Sequence, residues 1–169
     1  MNAITALRYL DRTPEFLVVK GYRNWLGGCA TQDPRQWDRL RRLHALRLGE
    51  TQAGVVVDGL VAFVSTLGRC ATCPLRFFPS ESCHLCRDEC LVLSLVAAIQ
   101  HGDEESCRLS AGALVCPLRA PETVIAAGDY AMRLKYAGCM LLPIPPLVVS
   151  DFIAANPVRH NAPQARTIH

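Results

Sequence analysis

The sequence lacks a strong excess of charge of either sign, and it has few aromatic residues. Lys and Arg number 18 against 15 Asp and Glu, a net charge of +3 in 169 residues, and 7% of the residues are aromatic. So small an excess of charge does not imply a nucleic-acid partner. Half of the residues are hydrophobic and a fifth are charged, which excludes a disordered or collagen-like chain and predicts a single globular domain.

Long apolar runs are also missing. The longest lie at residues 54–68, where Asp58 interrupts the run, and at residues 91–99. Both fall short of the roughly 20 residues that a helix needs to cross a bilayer. Near the amino terminus, Arg8 and Asp11 interrupt the apolar pattern before it reaches signal-peptide length. We therefore expect a cytoplasmic protein without a transmembrane helix or a membrane partner.

Recognised catalytic motifs are absent as well. The sequence contains no glycine-rich phosphate loop, dinucleotide fingerprint or serine hydrolase elbow. A cysteine hydrolase needs a thiol near a histidine, but His44, His84 and His101 have no spacing that singles out a pair. The sequence names no catalytic residue and no substrate, and it favours a protein that is not an enzyme.

Proline and glycine punctuate the chain in the order typical of helices, with proline just inside each start and glycine just past each end. The pattern predicts helices from Thr13 to Gly27–Gly28, from Asp33 to Gly49, over 51–67, over 81–100, from Asp103 past Arg108, and from Pro121 to Gly138. Residues 91–99 are apolar nearly all round, which indicates a buried central helix. We predict an all-α fold of about six helices around it.

The carboxyl-terminal part has a different pattern. After Gly138 the segment CMLLPIPPLVV carries Pro143, Pro145 and Pro146, which remove N–H donors and favour an extended backbone. It predicts an ordered, extended strap. Residues 154–169 have few large apolar side chains, so we predict one helical domain over residues 1–153 followed by a flexible tail.

Nine cysteines are the most unusual feature of the chain. Five of them lie in the segment CATCPLRFFPSESCHLCRDEC, namely Cys70, Cys73, Cys83, Cys86 and Cys90. The odd total and the missing export signal argue against a disulfide framework and favour reduced, metal-binding thiols. The first four form two Cys-x-x-Cys pairs, a spacing that can surround one tetrahedral zinc ion with thiolates.

A second ligand set is compatible with the same segment. A helix capped by Ser80 or Ser82 would place Cys83, Cys86 and Cys90 on one face, with a cysteine of the first pair completing the site from the preceding loop. This spacing also suits an iron–sulfur cluster. The double pair favours zinc slightly over a cluster.

Other interpretations of the cysteines stay open. His84 could replace one sulfur as a ligand, and all five thiols could instead be small core residues, because free cysteine is among the most buried residue types. Outside the segment, individual packing roles are the simpler interpretation for the remaining thiols, Cys29, Cys107, Cys116 and Cys139.

Our leading hypothesis is a metal-binding accessory or regulatory protein with a protein partner. The ion would fix residues 70–79 against the central helix, and folding would depend on it. One alternative is an iron–sulfur or thiol redox protein. Another is a nucleic-acid-binding regulator that uses the basic amphipathic helix 34–48, although a solvated surface is the simpler interpretation of its arginines. These are Arg35, Arg39, Arg41, Arg42 and Arg47.

Overall fold

The computed structural model describes residues 9–155 and the backbone of residues 166–168. Within them the α-helices are α1 (Thr13–Thr31), α2 (Pro34–Leu48), α3 (Glu50–Cys70), α4 (Arg87–His101), α5 (Glu104–Leu114), α6 (Ala120–Tyr136) and α7 (Pro146–Ala154). Two short strands, β1 (Leu75–Phe77) and β2 (Arg166–Ile168), pair antiparallel. The predicted all-α fold is confirmed. Most of the predicted tail, residues 156–165 and 169, lies outside the described residues.

Helix α4 lies at the centre of the fold, as its apolar sequence predicts. It packs against α1, α5, α6 and α7. Its large side chains Leu91, Leu93 and Leu95 are each at most 1% exposed. Because neighbours cover the helix on several sides, nearly all of its apolar surface is removed from water, which is the main favourable contribution to folding.

Local signals place two helix starts correctly. At the start of α2, the carboxylate of Asp33 accepts a hydrogen bond from the N–H of Arg35 at 3.1 Å. At the start of α5, Asp103 accepts from the N–H of Ser106 at 3.0 Å. Each cap satisfies an N–H group that has no partner within the helix. These predictions need no tertiary information, and both are confirmed.

Helix α1 does not end at Gly27–Gly28, as the glycine pair predicts, but continues to Thr31. The reason is a close approach between helices. A Cβ on Gly28 would collide with the indole ring of Trp37 on α2, whereas a Cβ on Gly27 would lie at an ordinary 3.7 Å from the side chain of Gln36. Gly28 therefore lets α1 and α2 pack closely, and neither glycine ends the helix.

The two glycines provide a matched test of this packing. We expect Gly28→Ala to lower the free energy of unfolding by about 1–3 kcal/mol, because the indole must move or the helices must separate. Gly27→Ala should raise the free energy of unfolding by about 0.5–1 kcal/mol, because alanine has the higher helix propensity and its Cβ would not collide with a neighbouring side chain. Denaturant titration measures both, and equal effects would contradict the close contact.

Helix α3 is longer than its apolar run predicts, since it continues past Gly68 to Cys70. By length and composition alone this helix could cross a membrane. The apolar run at residues 54–68 was too short to suggest this. However, 56% of its apolar window is buried inside the fold, and a core helix passes the same test. Leu60, Phe63 and Leu67 are each completely buried.

The extended strap is present at residues 139–145, and side chains satisfy its backbone. Gln100 on α4 accepts from the N–H of Leu141 at 2.9 Å and donates to the carbonyl of Cys139 at 2.9 Å. Three further side chains bond the backbone of the strap. The carboxylate of Glu15 accepts from the N–H of Leu142, and the hydroxyl of Ser106 donates to the carbonyl of Ile144. A ring nitrogen of His101 bonds the carbonyl of Leu141. An extended segment that is not paired in a β-sheet needs side-chain partners for its N–H and C=O groups wherever these are shielded from water.

The strap is shorter than predicted. Pro146 begins helix α7, so Leu147 to Val149 are helical and not extended. Proline is well accommodated at the first position of a helix, because its fixed φ fits and its missing N–H would have no partner there. The prediction overlooked this second role of proline.

Candidate functional site

The candidate site is the segment between α3 and α4, residues 71–86, which we call the cysteine loop. Helix α4 begins only at Arg87, and Cys86 is its N-cap. The predicted earlier start, with either serine as cap, is therefore wrong. Cys83 lies in the loop and does not share a helix face with Cys86 and Cys90.

A hydrogen bond of Glu89, and not a cap by Ser80 or Ser82, determines where α4 starts. The carboxylate of Glu89, in the first turn, accepts from the N–H of Cys86 at 2.9 Å, the arrangement of a capping box. Ser82 instead closes a short turn, because its hydroxyl accepts from the N–H of His84 at 3.1 Å. The last residues of the cysteine loop are thus fixed before the helix begins.

A buried ion pair organises the cysteine loop. Arg23 on α1 donates to both carboxylate oxygens of Glu89, at 2.7 and 3.0 Å, and both side chains are fully buried. The guanidinium also donates to the carbonyls of Ser82, at 2.7 Å, and His84. Glu89 in turn accepts from the N–H of Phe78 at 3.0 Å. This bidentate ion pair, whose further hydrogen bonds go to the backbone of the loop, positions the loop between α1 and α4.

Three further side chains fix the middle of the cysteine loop. The hydroxyl of Tyr22 donates to the carbonyl of Arg76 at 3.1 Å, and Asp88 accepts from the N–H of the same residue at 2.9 Å. Lys20 donates to the carbonyl of Ser80. Side chains of α1 and α4 therefore hold the backbone of the loop at several points.

The five predicted ligands occupy different environments. Cys70 and Cys90 are buried, Cys86 is half-buried, and Cys73 and Cys83 are exposed. Within residues 9–155, no three His, Cys, Asp or Glu side chains come together in a group that could hold a metal ion. The cysteines thus do not form one common ligand sphere in this arrangement.

Burial disfavours the thiolate form of two cysteines at the start of α4, the N-cap Cys86 and Cys90 in the first turn. Burial, with the nearby charge of Glu89, raises the pKa of Cys86 far above its usual range and that of Cys90 to about 12. The sulfur of Cys86 lies 3.3 Å from the carbonyl of Arg76 and donates to it. Metals bind the thiolate and not the thiol, so a metal at either sulfur would have to displace the thiol proton.

Cys83 and His84 are two metal-ligating side chains that touch within the cysteine loop. The sulfur of Cys83 lies 3.6 Å from Nδ1 of His84. Zinc binds sulfur at about 2.3 Å and imidazole nitrogen at about 2.0–2.1 Å, so two such ligands on one tetrahedral ion lie roughly 3.5 Å apart. Arg23 and Ser82 bond the backbone of His84, so the backbone beside this pair is fixed.

Sequence analysis missed the neighbourhood of Cys29. A groove of about 450 Å³ opens between α1, α3 and the start of the cysteine loop. It is lined by Cys29 and Cys73, together with Trp25 and Arg69. The two thiols lie far apart in the sequence, and no local pattern joins them, so only the fold reveals that they share a groove.

The arginines of α2 are exposed, as predicted for a solvated surface. Three of them lie within ion-pair distance of carboxylates: Arg35 with Asp33 at 3.1 Å, Arg39 with Glu81 at 3.0 Å, and Arg41 with Asp38 at 3.6 Å. These pairs reduce the positive charge that the helix can offer to a phosphate backbone. Through Arg39 and Glu81, α2 also contacts the cysteine loop.

The chain matches no model of a known protein family, no curated protein and no solved structure in the three comparisons. Its function therefore has to be inferred from the geometry of the cysteine loop.

Proposed function

We propose that this protein is a metal-binding accessory protein that takes zinc at Cys83 and His84 and presents it to a protein partner. The separation of 3.6 Å between the Cys83 sulfur and Nδ1 of His84 carries the proposal, because it matches the spacing of two ligands on one zinc ion. Thiolate and imidazole are also the ligand types that zinc prefers.

The exposure of the pair suits an accessory role. Structural zinc sites are closed by four protein ligands, whereas two ligands leave half of a tetrahedral sphere open. Cys83 is exposed, so water or side chains of a partner can occupy the remaining positions. An ion held in this way can be shared with a partner or passed to it, while Arg23 and Glu89 keep the loop ordered with or without metal.

A thiol redox function is the second candidate, and the same contact supports it. The sulfur of Cys83 lies 3.6 Å from Nδ1 of His84 and the residue is exposed, so an oxidant can reach a thiol that has an imidazole beside it. An iron–sulfur cluster has less support, because such a cluster is held by several thiolates and no three metal-ligating side chains converge within residues 9–155.

Zinc titration of anaerobically purified protein, in competition with a chromophoric chelator, tests the proposal. We expect one zinc ion per chain. Cys83→Ser and His84→Ala should each weaken binding at least as much as the roughly 10–100-fold that loss of a second-shell partner costs. Cys107→Ser on α5 is the control and should leave the affinity unchanged. The circular dichroism spectrum should not change when zinc is removed.

The outcomes separate the two candidates. Unchanged zinc affinity in both Cys83→Ser and His84→Ala would refute the site. Unfolding of the protein on zinc removal would mean that the metal stabilises the fold. If no zinc binds, and peroxide oxidises Cys83 faster than Cys107 in a His84-dependent manner, the redox function is the better explanation.

A further inference from the structure

Two free cysteines face each other where the end of α3 meets the segment between α5 and α6. Ala71 and Val115 form an antiparallel β-bridge, which places Cys70 opposite Cys116. The N–H of Cys116 donates to the carbonyl of Cys70 at 3.2 Å. The two cysteines lie far apart in the sequence, and the bridge makes them direct neighbours in the fold.

The backbone brings Cys70 and Cys116 within reach of a disulfide bond. Residues that face each other through a hydrogen bond in an antiparallel pair have Cα atoms about 5.5 Å apart, and disulfides span Cα separations of about 4.4–6.8 Å. A second bond, from the N–H of Thr72 to the carbonyl of Leu114 at 3.4 Å, holds the same register. A bond between the two sulfurs therefore fits the way in which the segments pair.

The side chain of Cys70 points towards the segment that carries Cys116. Arg119 hydrogen-bonds the Cys70 side chain, and this contact, together with the charge of Glu122, raises the pKa of Arg119. Arg119 also closes the turn that follows Cys116, because its N–H donates to the carbonyl of Cys116 at 2.9 Å. The Cys70 sulfur thus lies on the side of α3 where Cys116 is found.

The two thiols differ in their access to solvent. Cys70 is 3% exposed, whereas Cys116 is half-buried. A dissolved oxidant therefore reaches Cys116 first, and the buried thiol of Cys70 is placed to attack the oxidised sulfur. An accessible cysteine with a resolving cysteine beside it is a common arrangement in redox-sensitive proteins.

We propose that Cys70 and Cys116 form a peroxide-sensitive disulfide that reversibly ties the end of α3 to the segment before α6. Hydrogen peroxide transfers one oxygen to the Cys116 sulfur as its O–O bond breaks, and one water leaves. The Cys70 sulfur then displaces the hydroxyl group, which leaves as water with the Cys70 proton, and the S–S bond forms. In total the two thiols lose two electrons and two protons, and the peroxide becomes two waters.

The disulfide is separate from the proposed zinc site, because neither Cys83 nor His84 takes part in it. It closes a covalent loop that contains the whole cysteine loop, α4 and α5. Closing so long a loop restricts the unfolded chain. We therefore expect the oxidised protein to unfold at a temperature roughly 5–15 °C above that of the reduced protein.

Peptide mapping of the full chain tests the pairing. Anaerobically purified protein is treated with a chelator and then with hydrogen peroxide, alkylated, and digested with trypsin without reduction. Cleavage after arginine separates residues 70–76 from residues 109–119, so the disulfide should appear as one linked peptide that a dithiol splits. Because residues 70–76 also contain Cys73, Cys73→Ser is mapped in parallel and should give the same link.

Cys116→Ser provides the test of stability, because its half-buried position should let the reduced variant fold and unfold like the unmodified chain. This variant should lose both the linked peptide and the rise in unfolding temperature, whereas the control Cys83→Ser should keep both. Three results would overturn the proposal: a Cys116 that is still alkylated after peroxide treatment, a link from Cys116 to another cysteine, or a rise in unfolding temperature that survives in Cys116→Ser.

Discussion

Arg23→Leu should lower the free energy of unfolding by about 3–5 kcal/mol, the range observed when one partner of a buried ion pair is removed. Glu89 would stay in the interior without its partner, and the carbonyls of Ser82 and His84 would lose their donor. Denaturant titration measures the loss. The cysteine loop should detach as well, so Cys86 and Cys90 should react faster with an alkylating reagent.

Arg39→Leu is the matched control. Arg39 also pairs with a carboxylate, that of Glu81, but the two side chains are 52% and 82% exposed. Exposed pairs contribute about 0–1 kcal/mol, so this variant should unfold nearly like the unmodified protein. A similarly small effect for Arg23→Leu would mean that the buried pair does not hold the loop.

Gln100→Leu should destabilise the protein by about 2–5 kcal/mol, since each buried polar group left without a partner costs about 1–3 kcal/mol. The N–H of Leu141 and the carbonyl of Cys139 would both lose their bond to Gln100. Leucine has a similar size, so the effect should come from lost hydrogen bonds and not from a cavity. Thermal and denaturant unfolding measure it, and proteolysis should cut the strap more readily.

The exposed glutamine Gln52 on α3 gives the matched control for this substitution. Gln52→Leu should change stability by no more than about 0.5 kcal/mol, as is usual at surface positions. Protease resistance of the strap in Gln100→Leu, with unchanged stability, would show that other contacts suffice to hold it.

Helix type and several helix ends could be predicted because their causes are local. Asp33 and Asp103 cap the residues that follow them within the same turn. Gly27–Gly28 misled the prediction because the need for Gly28 arises from Trp37 on another helix. The start of α7 was predictable in principle, since Pro146 is well suited to a first helical position.

The candidate site was predicted in part. The sequence identified the cysteine-rich segment, and Cys86 followed by Glu89 before an apolar run resembles a capping box with cysteine in place of serine, a signal that could have located the start of α4. No local pattern connects Arg23 with Glu89, or places Cys29 and Cys73 in one groove, because both arrangements depend on how α1 packs beside the loop. The structure also shows that Cys70 and Cys90 are buried whereas Cys73 and Cys83 are exposed, a difference that the spacing of the cysteines in the sequence cannot reveal.

X-ray absorption at the zinc edge, on protein loaded with one zinc ion per chain, tests the central claim most directly. A site at Cys83 and His84 predicts one sulfur at about 2.3 Å and the other ligands nitrogen or oxygen at about 2.0–2.1 Å. The nitrogen contribution should fall in His84→Ala and the sulfur should vanish in Cys83→Ser. A shell of four sulfurs would contradict this account and would mean that the cysteine loop rearranges to gather four of the five clustered cysteines around the metal.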